Sequence, residues 1–89
     1  MTPNAYTATQ RLIWLPLIAR LARAAEIGPG ELAKALTGAE RETVMAVAIA
    51  CDVDYAAIEA LEPGPFLELL DQAMAANAAA LMETAHGAV

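Results

Sequence analysis

The residues of this chain that could carry out chemistry are few and far apart. Two pairs of closely spaced carboxylates could support general acid and base catalysis, namely Asp52 with Asp54 and Glu59 with Glu62. The chain has no serine, and its one cysteine, Cys51, is distant in sequence from its one histidine, His86. A nucleophile and base of the usual kinds are therefore missing. We predict that the protein is not an enzyme.

Metal and cofactor sites are also not indicated by the spacing of the polar residues. Asp52 and Asp54 are separated like the first two ligands of an EF-hand loop, but the required glycine and the twelfth-position glutamate do not follow. One cysteine and one histidine cannot form a zinc site of ordinary spacing. No phosphate-binding loop or dinucleotide fingerprint is present. We expect no metal and no cofactor.

Residues suited to binding a protein partner are easier to find. Trp14 lies beside the helix-breaking Pro16, and Phe66 is the other large aromatic anchor. Asn77 falls on the apolar stripe of an alanine-rich helix, where a buried amide must find partners and could fix the register of a helix pair. The predicted partner-binding residues are Trp14, Leu17, Ile18, Leu21, Phe66 and Asn77.

The charge of the chain suggests an alternative binding surface. The net charge is −6, and all five basic residues precede position 42, whereas eight acidic residues follow Arg41. A basic partner could therefore bind the second half through Glu59, Glu62, Glu68 and Asp71. Phosphate binding needs clustered Lys and Arg, so we expect no nucleic-acid partner.

The elements that must position these residues are predicted to be helices. Of the 89 residues 23 are alanine, the best helix former, and only 29 are larger apolar groups, so the core of an isolated monomer is thin. We predict an all-α single domain over 1–89, a small bundle of four to five helices with short frayed ends at 1–6 and 86–89. The apolar segment 12–19 is too short to cross a bilayer. We expect no membrane partner and a cytoplasmic location.

Capping residues and prolines predict where the helices begin and end. Thr7 and Thr37 each have the spacing of a capping box, and Asp54 has that of an N-cap. The first helix should end at Gly28, and it should be kinked or broken at Pro16. Its apolar face is too wide to be covered by one neighbouring helix. Either this helix is the centre of the domain, or part of it meets another chain, most simply in a homo-dimer or other homo-oligomer.

One stretch resembles a known family. Residues 43–77 read TVMAVAIACDVDYAAIEALEPGPFLELLDQAMAAN: a buried helix, a capped short helix, a turn with prolines, and an aromatic residue opening an amphipathic helix. This looks like the C-terminal half of small tail assembly chaperones of long-tailed, Mu-like bacteriophages. The positions that correspond are Val53, Asp54, Ile58, Leu61 and Phe66. Those chaperones often begin with an extended segment, whereas a helix is predicted here.

The resemblance implies that the protein binds the phage tape-measure protein, covers its hydrophobic helices and helps tail-tube subunits assemble in the host cytoplasm. The residues alone leave a second hypothesis open, a small acidic phage or bacterial regulator that inhibits a host protein. Salt should separate the two, because only the acidic surface relies on charges that salt screens.

Overall fold

Helices are the regular secondary structure of the described part of the chain, which contains no strand. The structure, a computed structural model, describes the backbone of residues 1–87 and the side chains of residues 1–83. Its helices are α1 (Ala8–Ile27), α2 (Pro29–Leu36), α3 (Glu40–Cys51), α4 (Tyr55–Glu59), α5 (Pro63–Ala76) and α6 (Ala78–Gly87). The all-α prediction is confirmed. Residues 1–87 form six helices rather than the four to five that were predicted.

Helix α1 begins and ends where the capping signals predict. The Thr7 hydroxyl accepts a hydrogen bond from the Gln10 amide, and the Gln10 side chain accepts one from the Thr7 amide. At the other end the backbone of Gly28 adopts φ 156° and ψ 170°, a region that glycine alone occupies readily. Pro29 then opens α2.

Pro16 does not break α1. The helix runs without interruption from Ala8 to Ile27 with Pro16 inside it, so of the two predicted alternatives, a kink or a break, the break is wrong. Pro16 is exposed, and Leu12, four residues earlier, is 82% exposed. The turn that lacks an amide donor therefore faces solvent, where water can satisfy the free carbonyl.

Helix α1 packs against several other helices through one side. It contacts α2, α3 and α5, and its side chains Leu15, Ile18 and Leu21 enter the core. An ion pair of 3.7 Å between the Arg11 guanidinium and the Glu83 carboxylate also links its first turn to α6. Most of the wide apolar face is thus covered within the chain.

The connection from α2 to α3 differs from the predicted capping box. Thr37 ends α2, and its hydroxyl donates to the Ala33 carbonyl oxygen at 2.9 Å. Ala39, which has no capping side chain, is the N-cap of α3. The Glu40 carboxylate accepts a hydrogen bond from the Gly38 amide instead. The expected role of Thr37 in starting α3 is wrong because its hydroxyl is already used by the preceding helix.

Helix α3 ends in a left-handed residue. Asp52 has φ 55° and ψ 49°, the Val53 amide donates to the Ala48 carbonyl, and the Asp52 amide donates to the Ile49 carbonyl. These two bonds form a Schellman motif, which satisfies carbonyl groups at the end of α3. The motif turns the chain into α4.

Helix α4 starts after its predicted N-cap, and α5 starts at a proline. Asp54 is the N-cap of α4, although its side chain makes no capping hydrogen bond. Val53 and Ile58, which have the spacing of a hydrophobic staple around this N-cap, both pack in or against the core. Pro63 is the first residue of α5, where its missing amide hydrogen is harmless.

The chain bends at Asn77 instead of continuing as one last helix. Asn77 ends α5 with φ −107° and ψ 14°, and its side chain is only 1% exposed. Its Oδ1 accepts a hydrogen bond of 2.8 Å from the Tyr6 amide, and its Nδ2 donates to the Ala73 carbonyl at 2.9 Å. The single helix predicted across this position is therefore two helices.

Residues 1–7, which we call the N-terminal arm, pack against the domain. Pro3 is buried, the Asn4 amide donates to the Ala50 carbonyl at 2.8 Å, and the Tyr6 hydroxyl donates to the Ala46 carbonyl at 2.7 Å. The prediction of a frayed end at 1–6 is wrong for these residues. At the other end 86 and 87 belong to α6, and the predicted fraying of 88 and 89 lies outside the described residues.

Candidate functional site

Three adjoining grooves lie along α3, and Glu42 lines all three. The Phe66 section, about 680 Å³, lies between α3 and the start of α5. The Trp14–Tyr55 section, about 420 Å³, joins it to the α1 section of about 450 Å³. We refer to the three together as the α3 groove, and its most prominent apolar walls are Ile13, Trp14, Leu17, Met45, Tyr55 and Phe66.

Three of the apolar side chains that line the groove also pack against the core. Trp14, Leu17 and Phe66 are half-buried and pack against the hydrophobic cluster, so each presents one side to the interior and one to the groove. Met45 on α3 lines the same section as Trp14 and is 36% exposed. The groove therefore has apolar walls that the fold itself holds in place.

A small set of charged groups lies in the Trp14–Tyr55 section. Glu42, Glu59 and Arg41 line it together with Tyr55, and all three charged residues are exposed. The pKa of Tyr55 is raised, first because its hydroxyl is partly removed from water and second because Glu59 carries a negative charge nearby. Arg41 lowers the same pKa. The ring of Tyr55 and the carboxylate of Glu59 thus lie close together at the edge of the groove.

The structure divides the predicted partner-binding residues into two groups. Trp14, Leu17 and Phe66 line the α3 groove. Ile18 and Leu21 are fully buried, so the expectation that α1 exposes them to a partner is wrong: α2, α3 and α5 cover that face. Asn77 is also buried, and its amide is bonded within the chain, so no free amide remains there to set the register of an interface.

The four residues of the alternative acidic surface are all exposed, but they do not line one surface. Glu59 lines the α3 groove, whereas Asp71 lines a groove of about 300 Å³ on the other flank, between α1 and α5. Glu62 is the N-cap of α5, and Glu68 lies within that helix. None of the four takes part in an ion pair among the described residues.

Met45 and Tyr55 are groove residues that the sequence analysis missed. Met45 stands in a run of eight apolar residues that was interpreted as wholly buried. The signal that could have found it is the helical spacing from Arg41 and Glu42, which puts Met45 on the same face as two charged residues. Tyr55 gave no comparable signal, because only the packing of α4 beside α3 brings it to the groove.

Cys51, the one cysteine of the chain, does not line the groove. Cys51 is buried at the end of α3, where burial raises the pKa of its thiol and the N-terminal amino group lowers it by a smaller amount. Over the described residues no three potential ligands come together around a possible metal position. Half-buried aromatic side chains beside exposed charged groups form a surface that is suited to binding another molecule through apolar contacts and ion pairs.

The start of α1 exposes two large apolar side chains. Leu12 and Ile13 project from the first turns of α1 with 82% and 60% of their surface exposed, and Ile13 also lines the α1 section of the groove. None of the helices within residues 1–87 has the length and hydropathy required to span a bilayer.

Comparison with known proteins gives no relative from which a role could be transferred. No protein-family model, curated protein or solved structure matches this chain.

Proposed function

We propose that the protein is a non-enzymatic protein-interaction module whose α3 groove binds an amphipathic helix of a partner protein. The observation that carries this proposal is the α3 groove itself, in which Trp14, Met45 and Phe66 keep apolar surface open beside exposed charges. A helix laid in such a groove would bury its apolar ridge against these side chains. The groove carboxylates are solvated, whereas a catalytic pair needs a dry pocket.

The specific role that we propose is that of a tail assembly chaperone of a long-tailed phage. Its partner would be the tape-measure protein, whose hydrophobic helices need cover in the host cytoplasm before the tail tube forms. The resemblance over residues 43–77 supports this role. Of the corresponding positions, Ile58, Leu61 and Phe66 also line the groove.

The experiment is co-expression with a tape-measure protein from a phage genome that encodes this chain. We expect the wild-type protein to keep the tape-measure segment in solution as a complex that survives gel filtration. Met45→Glu should abolish the complex, because it places a charge in the groove. Leu67→Glu is the matched control, since Leu67 is 43% exposed on α5 and does not line the groove. An aggregated tape-measure segment with wild type, or equal effects of both variants, would contradict the proposal.

Self-association belongs to the same proposal. Leu12 and Ile13 form an exposed apolar pair that a second copy of the chain could cover in a symmetric dimer. Sedimentation of wild type and of Leu12→Glu over a range of concentrations tests this. Identical monomers for both would remove the dimer from the proposal and leave the groove unaffected.

A small acidic regulator that inhibits a host protein is the second candidate. The observation that favours it is the exposure of Glu59, Glu62, Glu68 and Asp71 without a basic partner among the described residues. Binding of such a regulator should weaken strongly between 0.1 and 1 M salt, where the screening length falls from about 10 Å to about 3 Å. A Glu59→Gln/Glu62→Gln double variant should lose binding as well. Full binding by Met45→Glu together with such losses would favour the regulator over the chaperone.

A further inference from the structure

The Trp14–Tyr55 section combines three kinds of side chain that a purely apolar ligand would not use together. Trp14 and Tyr55 provide aromatic rings, Met45 provides a thioether, and Glu42 and Glu59 provide carboxylates. Aromatic faces attract cations, and carboxylates pair with them. An apolar side chain in this section would contact the rings but would draw water away from the two carboxylates, which is unfavourable.

A long basic side chain fits this combination. The methylene stem of Lys or Arg can lie along Met45 and the rings while its charged head remains beside the carboxylates. Glu59 is the better placed carboxylate, because it lies four residues after Tyr55 on α4 and therefore on the same face of that helix as the ring.

Arg41 lines the same section and must be taken into account. It offsets one of the two carboxylates there, which leaves an excess of one negative charge, and the adjoining Phe66 section adds Glu40. Arg41 is exposed and makes no ion pair among the described residues. It can therefore remain near Glu42 while a second cation pairs with Glu59.

We infer that the Trp14–Tyr55 section receives a Lys or Arg side chain from the middle of the partner helix, with Glu59 as the residue that selects for it. The inference rests on the proposed function and extends it by giving the chemistry of the partner. The helix has an apolar ridge that lies along Met45 and Phe66, and this ridge is interrupted by one basic residue opposite Trp14. Partner helices with an acidic residue at that position are rejected by Glu42 and Glu59.

The experiment uses synthetic helical peptides of about five turns with a leucine ridge. Three peptides differ only at the central position, which is lysine, norleucine or glutamate, and none contains tryptophan. Trp14 is the one tryptophan of the protein, so its fluorescence reports directly on occupation of this section. The full-length wild type is compared with Glu59→Gln and with Glu68→Gln, which removes the same charge from an exposed position of α5. Circular dichroism checks that both variants fold.

We expect the lysine peptide to bind wild type about tenfold more tightly than the norleucine peptide and to change the Trp14 emission, while the glutamate peptide binds most weakly. Glu59→Gln should remove the advantage of lysine over norleucine, and Glu68→Gln should preserve it.

Three outcomes would overturn the inference. Equal affinity for the lysine and norleucine peptides would show that the section binds only apolar surface and does not select a cation, although the proposed function would stand. Equal losses in Glu59→Gln and Glu68→Gln would reduce the effect to general attraction by a negative protein. No binding of any of the three peptides at about millimolar concentration would overturn both the inference and the proposed function.

Discussion

The N-terminal arm and the α3 groove lie against different faces of the same helix, and they differ in how completely folding has used them. On the arm side, the carbonyl groups of Ala46 and Ala50 accept hydrogen bonds from Tyr6 and Asn4. The Asn77 side chain accepts a further hydrogen bond from the Tyr6 amide. No buried polar side-chain atom among the described residues is left without a partner. On the groove side, Met45 remains open to solvent.

This difference indicates which surface serves the fold and which is available to a partner. Buried polar groups with complete hydrogen bonding are costly to disturb, because removing one partner leaves the other unpaired in a dry environment. Half-exposed side chains contribute less to folding, since part of their surface stays in water. Substitutions should therefore affect stability on the arm side and binding on the groove side.

The largest loss of stability is expected for Asn77→Ala. The substitution leaves the buried Tyr6 amide without an acceptor and also creates a small cavity. We expect the free energy of unfolding to fall by about 3 kcal/mol, as measured by urea denaturation. Gln72→Ala, at an exposed position of α5, is the control and should change it little. A loss below about 1 kcal/mol for Asn77→Ala would show that the arm is only loosely attached.

Tyr6 should make the arm side sensitive to alkaline pH. Burial, with a smaller contribution from the charge of Cys51, raises the pKa of Tyr6 from 10.0 to about 12. Because the folded state favours the neutral phenol, its stabilisation is complete below pH 10 and is lost as the pH rises through 12. We expect wild type to lose about 2 kcal/mol by about pH 12 relative to a Tyr6→Phe variant.

The measurement is urea denaturation of both proteins at several pH values. At neutral pH Tyr6→Phe itself should cost about 1 kcal/mol, because the hydrogen bond to the Ala46 carbonyl is lost. Parallel stability curves for the two proteins from pH 8 to 12 would mean that the phenol titrates as if exposed.

Asp52→Gly should stabilise the end of α3. Asp52 is the one non-glycine residue with positive φ among residues 1–87, and a left-handed backbone costs an ordinary residue energy that glycine does not pay. We expect a gain of about 0.5–1 kcal/mol in thermal or urea unfolding. Asp52→Ala is the comparison and should destabilise the protein. A loss in both variants would show that the carboxylate itself contributes to the end of α3.

The smallest effect on stability is expected in the groove. Tyr55→Phe removes a hydroxyl that lies next to the exposed Glu59 carboxylate, at the position proposed for the cation. We expect the free energy of unfolding to change by less than about 0.5 kcal/mol, while binding of the lysine peptide becomes weaker. A loss of stability as large as that of Tyr6→Phe would remove the contrast between the two regions.

Local chemistry allowed much of the helical framework to be predicted. Thr7 and Gly28 mark helix ends because a hydroxyl and a missing side chain act on neighbouring backbone atoms. The prediction failed at Thr37, where two helices could use the same hydroxyl. In such a case short-range spacing does not decide which helix forms the bond.

The candidate site was predicted only in part, for the same reason. Trp14, Leu17 and Phe66 were identified as anchors, and all three line the groove. Ile18 and Leu21 were grouped with them because helical periodicity gives the direction of a side chain but not the identity of its neighbour. Only the packing of α1 against three other helices determined which apolar residues stay open.

By itself the sequence determined the all-α fold class, the positions of several helix ends, and a chain that carries its negative charge in the second half. These properties depend on composition and on interactions within one turn of a helix. The tertiary structure alone decided that Asn77 interrupts the last helix and accepts a hydrogen bond from Tyr6, 71 positions away, and that Tyr55 and Trp14 line the same section of the groove. Contacts between residues so distant in sequence depend on how whole helices pack, which no local pattern encodes.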